Sequence, residues 1–158
     1  MLAIFKRELR SCFHGMIGAV LTAFMLAATA IYFVALNLGY GLPDFGYYTL
    51  YRTIFVLLLY IPVLTMRSFA EERHSRTDQL ILTAPVSVEK VVLGKYLAMA
   101  FVFTIDMVII AITPLLLMSY GTIPLGESYA AVLGFWLYGC ACIAVGMFIS
   151  CLLYTSDA

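Results

Sequence analysis

The sequence predicts an all-α fold: a multi-pass transmembrane helix bundle with four spans, preceded by an amphipathic N-terminal surface helix. Composition, long apolar runs and the placement of charge predict it. Of the 158 residues, 64% are hydrophobic and 11% charged, and the mean hydropathy is +1.02, far from the balance of a water-soluble domain. Several runs approach or exceed the length needed to cross a hydrocarbon core, and a chain of this size cannot hide them in one soluble core. The formal net charge is zero. Where the nine basic residues fall carries the information.

The first segment, residues 1–14, sets Phe5, Leu9, Phe13 and Met16 at helical spacing, with Lys6, Arg7, Arg10 and Ser11 between them. This pattern suits an amphipathic helix lying in the headgroup layer. The alternative is an extension of the first span. From Gly15 to Asn37 no charge occurs, and at about 1.5 Å per residue this run covers roughly 34 Å, enough to cross. Ala28-Thr29-Ala30 resembles a signal-peptidase site, but the apolar run continues past it and is too long for a cleaved signal.

Gly39 to Gly46 gathers glycines, Pro43 and Asp44, which is turn chemistry. The second span is expected over 47–66, with Arg52 snorkelling among Tyr47, Tyr48 and Tyr51, and a kink at Pro62. A third span is expected over 96–118, with Asp106 near its middle and Pro114 near its far end. A second turn follows over Ser119–Ser128, then a fourth span over 129–153. Cys142, Gly146 and Ser150 recur there every four residues, a small-residue stripe that lets another helix approach closely.

Lys6, Arg7, Arg10, Arg67, Arg73, Arg76, Lys90 and Lys95 all flank the spans on one side, and only Arg52 lies on the other. The positive-inside rule then places the N-terminus and the central loop 67–95 in the cytoplasm. Within that loop, Arg67 to Arg73 contains good helix formers that extend the second span. Glu72 and Arg76 add an i,i+4 pair that stabilises by about half a kcal/mol. Ser75 and Thr77 are potential caps for a short helix starting near Asp78, which must end before Pro85. Its Leu80, Ile81 and Leu82 are apolar between polar stretches, and a helix of two turns needs a surface to dock against. Ser87 caps a further helix leading into the third span. The alternative is a solvated connector whose charges only fix topology.

Catalytic patterns are missing from the sequence. It contains neither H-E-x-x-H nor G-x-S-x-G. Gly94-Lys95 is followed by Tyr96, and the glycine a phosphate loop requires five positions earlier is Glu89. Glu71 and Glu72 are adjacent, so on a helix they diverge. Cys12, Cys140, Cys142 and Cys151 form no C-x-x-C pair, and His14 and His74 are far apart, so no metal is expected. Asp106 is the ionisable residue deep in a span. It either lines a translocation path or bonds a hydroxyl on a neighbouring span.

The loop strings Arg67-Ser68-Phe69-Ala70-Glu71-Glu72-Arg73, Thr77-Asp78-Gln79-Leu80, Thr83-Ala84-Pro85-Val86-Ser87 and Leu93-Gly94-Lys95-Tyr96 resemble permease subunits of ABC-2 type transporters. They are most similar to the subgroup associated with bacterial gliding motility. Phe5-Lys6-Arg7-Glu8-Leu9 before a first span is also like that family, so the resemblance covers Met1 to about Cys151.

The resemblance implies a subunit of an ATP-driven exporter in the bacterial inner membrane, without catalytic residues or cofactor of its own. A separate ATPase would bind ATP and Mg²⁺, and a coupling helix over Asp78–Thr83 would dock into it. Glu71, Glu72, Arg73, Thr77, Asp78, Gln79, Leu80, Leu82, Thr83 and Pro85 are then the expected interface, and residues near Phe5 would form the connecting helix. A second permease copy or a homologous permease completes the path within the lipid bilayer, and no nucleic-acid partner is expected. Relatives commonly have six spans, so the natural sequence is expected to continue past the fourth. Two other readings stay open: a non-transporting scaffold using the same loop, and an ion-coupled carrier built around Asp106.

Overall fold

A computed structural model describes residues 2–75, 83, 85 and 87–156. Among them there is no strand. Helix α1, Leu2–His14, ends where Gly15 takes an extended conformation, and α2 starts at Met16 and runs to Tyr32. A wider π-helical segment, Phe33–Gly39, continues α2. Another, Gly46–Leu50, leads into α3, Tyr51–Ser75. Helices α4, Val88–Met118, and α5, Leu125–Ser156, complete the bundle.

Four helices are long and apolar enough to cross a membrane, at Met16–Gly39, Gly46–Ala70, Glu89–Met118 and Leu125–Leu153. With the helical content, they make the chain an all-α multi-pass bundle. Two ends run further than hydropathy suggested. Helix α3 continues to Ser75 because Ala70, Glu71 and Glu72 are helix formers that need no membrane around them. The helix expected after Ser87 and the third span are one uninterrupted helix; Ser87 has extended backbone at its N-terminus, and its side chain makes no capping hydrogen bond.

Close approach organises the packing. Helix α5 lies against both α3 and α4, while α2 packs on α3 and α1 crosses α4. The small-residue stripe works as expected at Gly146, where an added Cβ would lie 3.0 Å from Thr65 Cγ2 of α3. Two turns earlier along α5, the Phe103 ring of α4 occupies the space a side chain at Gly139 would need. Buried Met25, Phe45, Leu57, Tyr60, Phe103 and Ile143 fill the centre.

Backbone polar groups freed inside the bundle find local donors, as an apolar surrounding demands. Pro114 has no N–H to give the carbonyl of Ile110 one turn back; the Thr113 hydroxyl donates to that oxygen at 2.5 Å. At the far end from the loop, Asn37 Nδ2 donates to Leu42 O at 2.8 Å, and the Thr49 hydroxyl donates to Asn37 Oδ1. Asp44 caps the return helix, accepting from the Tyr47 N–H at 3.1 Å. Gly41, with φ of 64°, supplies the left-handed residue of this turn.

Candidate functional site

The charged end of the bundle is built by three helices. Helix α1 contributes Glu8, α3 contributes Arg67, Ser68 and Phe69, and α4 contributes Lys95. Lys95 is only 2% exposed, and its Nζ lies 3.9 Å from Glu8 Oε1, whose side chain is 12% exposed. The same ammonium donates to the Ser68 carbonyl at 3.4 Å and stands 5.0 Å from the centroid of the Phe69 ring. Arg7 Nη2 approaches Glu8 Oε1 at 3.7 Å from a more exposed position.

Two glycines let these helices meet. At Gly94 an added Cβ would lie 3.1 Å from Ile4 Cγ2, so α1 rests directly on the backbone of α4, and the Phe5 and Phe101 rings meet edge to face at 5.9 Å. The Arg67 guanidinium fills the space beside Gly15 and Gly18 at the corner between α1 and α2. Arg67 therefore ties α3 to that corner, while Lys95 ties α4 to α1 and α3.

Sequence reasoning named most of these residues without assigning them these contacts. Arg67, Ser68, Phe69, Gly94 and Lys95 stood in the loop strings, the first three as part of a helical extension of the second span; the structure buries Gly94 and Lys95 and leaves the other three half-buried. Glu8 carries no sequence signal of its burial, because it sits among the exposed cations Lys6, Arg7 and Arg10. The apolar stripe of the first segment divides: Phe5 packs on Phe101, whereas Phe13 is 53% and Met16 86% exposed.

Of the expected interface, Glu71, Glu72 and Arg73 lie on the last turns of α3. Thr83 and Pro85 are exposed. Thr77, Asp78, Gln79, Leu80 and Leu82 lie outside the described residues. Asp106 is 1% exposed in the middle of the bundle and accepts a hydrogen bond from Tyr60 Oη of α3 at 3.1 Å. Of its two sequence readings, the bond to a neighbouring span is the one this geometry contains.

Apolar grooves open on the outer surface of the described residues. One of about 450 Å³ between α1, α4 and α5 is lined by Phe5, Leu97, Phe101 and Trp136, with the indole N–H donating to Thr104 Oγ1 at 3.0 Å. Another, of about 570 Å³ between α4 and α5, is lined by Val92, Tyr96, Met147 and Phe148.

A bundle of four membrane-length helices, with Arg67 and Lys95 drawn into a joint at one end, defines a polytopic membrane protein. A family model described as ABC-2 family transporter protein matches residues 25–158. The chain belongs to that family and is an ABC-2 type transporter permease. The matched stretch starts within α2, so α1 precedes it. Neither a curated protein nor a solved structure matches the chain.

Proposed function

We propose that this permease is the membrane subunit of an ATP-driven exporter in the bacterial inner membrane, with residues 1–14 and the loop 67–95 on the cytoplasmic side. A separate ATPase binds ATP and Mg²⁺ and docks on the loop through the segment 78–83. Two permeases, identical or homologous, enclose the path between them. The observation that supports this reading best is the framing of the loop. Helix α3 runs on to Ser75 and α4 starts at Val88, so the sequence containing Leu80, Ile81 and Leu82 connects two helices at the end where Arg67 and Lys95 lie.

Rigid framing makes mechanical sense of the family's division of labour. A force applied to a loose connector dissipates in chain entropy, whereas one applied between two helix ends moves the helices. Asp106 enters this reading as a path residue only in a state where Tyr60 releases it.

Association of the ATPase with the double variant Leu80→Asp, Leu82→Asp tests the proposal. Placing two carboxylates on the docking face should abolish co-purification of the ATPase while the permease still reaches the membrane. Co-purification at the level of the unsubstituted protein would remove the loop from the interface.

A further inference from the structure

Among the described residues Lys95 is the one buried basic side chain, and the reading of the loop as an ATPase dock does not account for it. Its ammonium meets three groups on two other helices: Glu8 of α1 at 3.9 Å, and the Ser68 carbonyl at 3.4 Å and Phe69 ring at 5.0 Å of α3. An enclosed ion pair contributes little net stability over an apolar pair of the same shape, because both ions lose their water. What it supplies instead is register. An apolar α1 could slide along the apolar surface of α4 with little change in energy, while a matched charge at one position cannot. Gly94, one residue before Lys95, brings the backbones close enough for Glu8 to reach.

We propose that Lys95 is a positioning residue that locks α1, in one register, to the loop-bearing ends of α3 and α4. The surface helix then travels with the two helices that frame residues 76–86 during the ATPase cycle. This rests on the reading of the loop given above. It goes further by making α1 a moving part of the transmission instead of a static anchor.

A disulfide tests both halves. A Cβ on Gly94 would lie 3.6 Å from Ile4 Cβ, within the span of about 3.5–4.5 Å that a disulfide bridges. With Cys12, Cys140, Cys142 and Cys151 replaced by serine, the pair Ile4→Cys, Gly94→Cys should cross-link rapidly in the permease–ATPase complex in nanodiscs, equally with and without ATP and vanadate. The cross-linked complex should hydrolyse ATP within about twofold of the same complex after reduction, since a joint that moves as one body loses nothing when bonded. Lys95→Met should slow cross-linking roughly tenfold by freeing the register, and the exchange Glu8→Lys with Lys95→Glu should restore it.

Arrest of ATP hydrolysis on cross-linking would show that α1 must part from α4, and would overturn the joint motion. Cross-linking of the Lys95→Met protein at the unsubstituted rate would overturn the lock. The lock is also measured in the permease alone, where it does not depend on the ATPase. Failure of the ATPase to bind the loop would therefore strike the coupling reading and the shared stroke, and leave the register result standing by itself.

Discussion

The Tyr60 hydroxyl of α3 donates to Asp106 Oδ2 of α4 across 3.1 Å, and both side chains are enclosed by the bundle. Two spans are thereby linked by a polar contact inside the bundle. Asn in place of Asp106 keeps an oxygen for Tyr60, whereas Leu strands the hydroxyl. Asp106→Asn is expected to leave thermal stability in detergent close to the unsubstituted value, and Asp106→Leu to lower it by about 1–3 kcal/mol. In a double-mutant cycle with Tyr60→Phe the coupling should be about 0.6 kcal/mol, the usual size for such bonds in membrane helices. A coupling of zero would remove this bond from the native state.

Gly139 and Gly134 stand on the same helix with opposite surroundings. The Phe103 ring fills the space beside Gly139, while nothing lies within 4 Å of a Cβ at Gly134. Gly139→Ala should destabilise by about 1–3 kcal/mol through overpacking. Gly134→Ala should be neutral or stabilise by up to about 1 kcal/mol, the helix gain over glycine. Thermal unfolding followed by the accessibility of the native cysteines measures both, and equal effects would contradict the α4–α5 packing.

Thr113 serves Pro114. Because its hydroxyl satisfies the Ile110 carbonyl at 2.5 Å, Thr113→Val should cost about 1 kcal/mol. In a Pro114→Ala background the restored backbone N–H takes over that carbonyl, and the same change should cost close to nothing. Identical costs in the two backgrounds would mean that the hydroxyl does not serve this oxygen.

The corner between α1 and α2 tolerates no side chain at Gly18, where a Cβ would run into the Cys12 carbonyl and lie 2.6 Å from Arg67 Nη1. Backbone cannot give way as a flexible side chain does. Gly18→Ala should release α1 from the bundle, seen as increased thiol labelling of Cys12, which is partly buried in the folded chain. Labelling at the unsubstituted rate would show that the corner absorbs the methyl group.

Much of the fold was legible because lipid leaves few choices. Uncharged runs such as Gly15 to Asn37 must become helices that satisfy their own backbone, so existence and order follow from hydropathy alone. The turn at Gly39–Gly46 was equally plain from its glycines, Pro43 and Asp44. Ends were harder to read. Once the chain leaves the hydrocarbon, hydropathy no longer speaks, and α3 reached Ser75 on helix propensity while α4 absorbed the segment after Ser87.

Sequence alone also determined which end of the bundle is the basic one, since the distribution of Lys and Arg is a property of the chain before it folds. Which of those cations is exposed and which is buried was decided only by tertiary structure. Lys90 and Lys95 stand in the same loop, 67–95, and burial depends on which face of α4 receives α1, a contact between residues far apart in the chain. Lys95 lies on that face beside Gly94 and meets Glu8, whereas Lys90 is exposed. A residue's helical position is local information, but the neighbour that covers it is not.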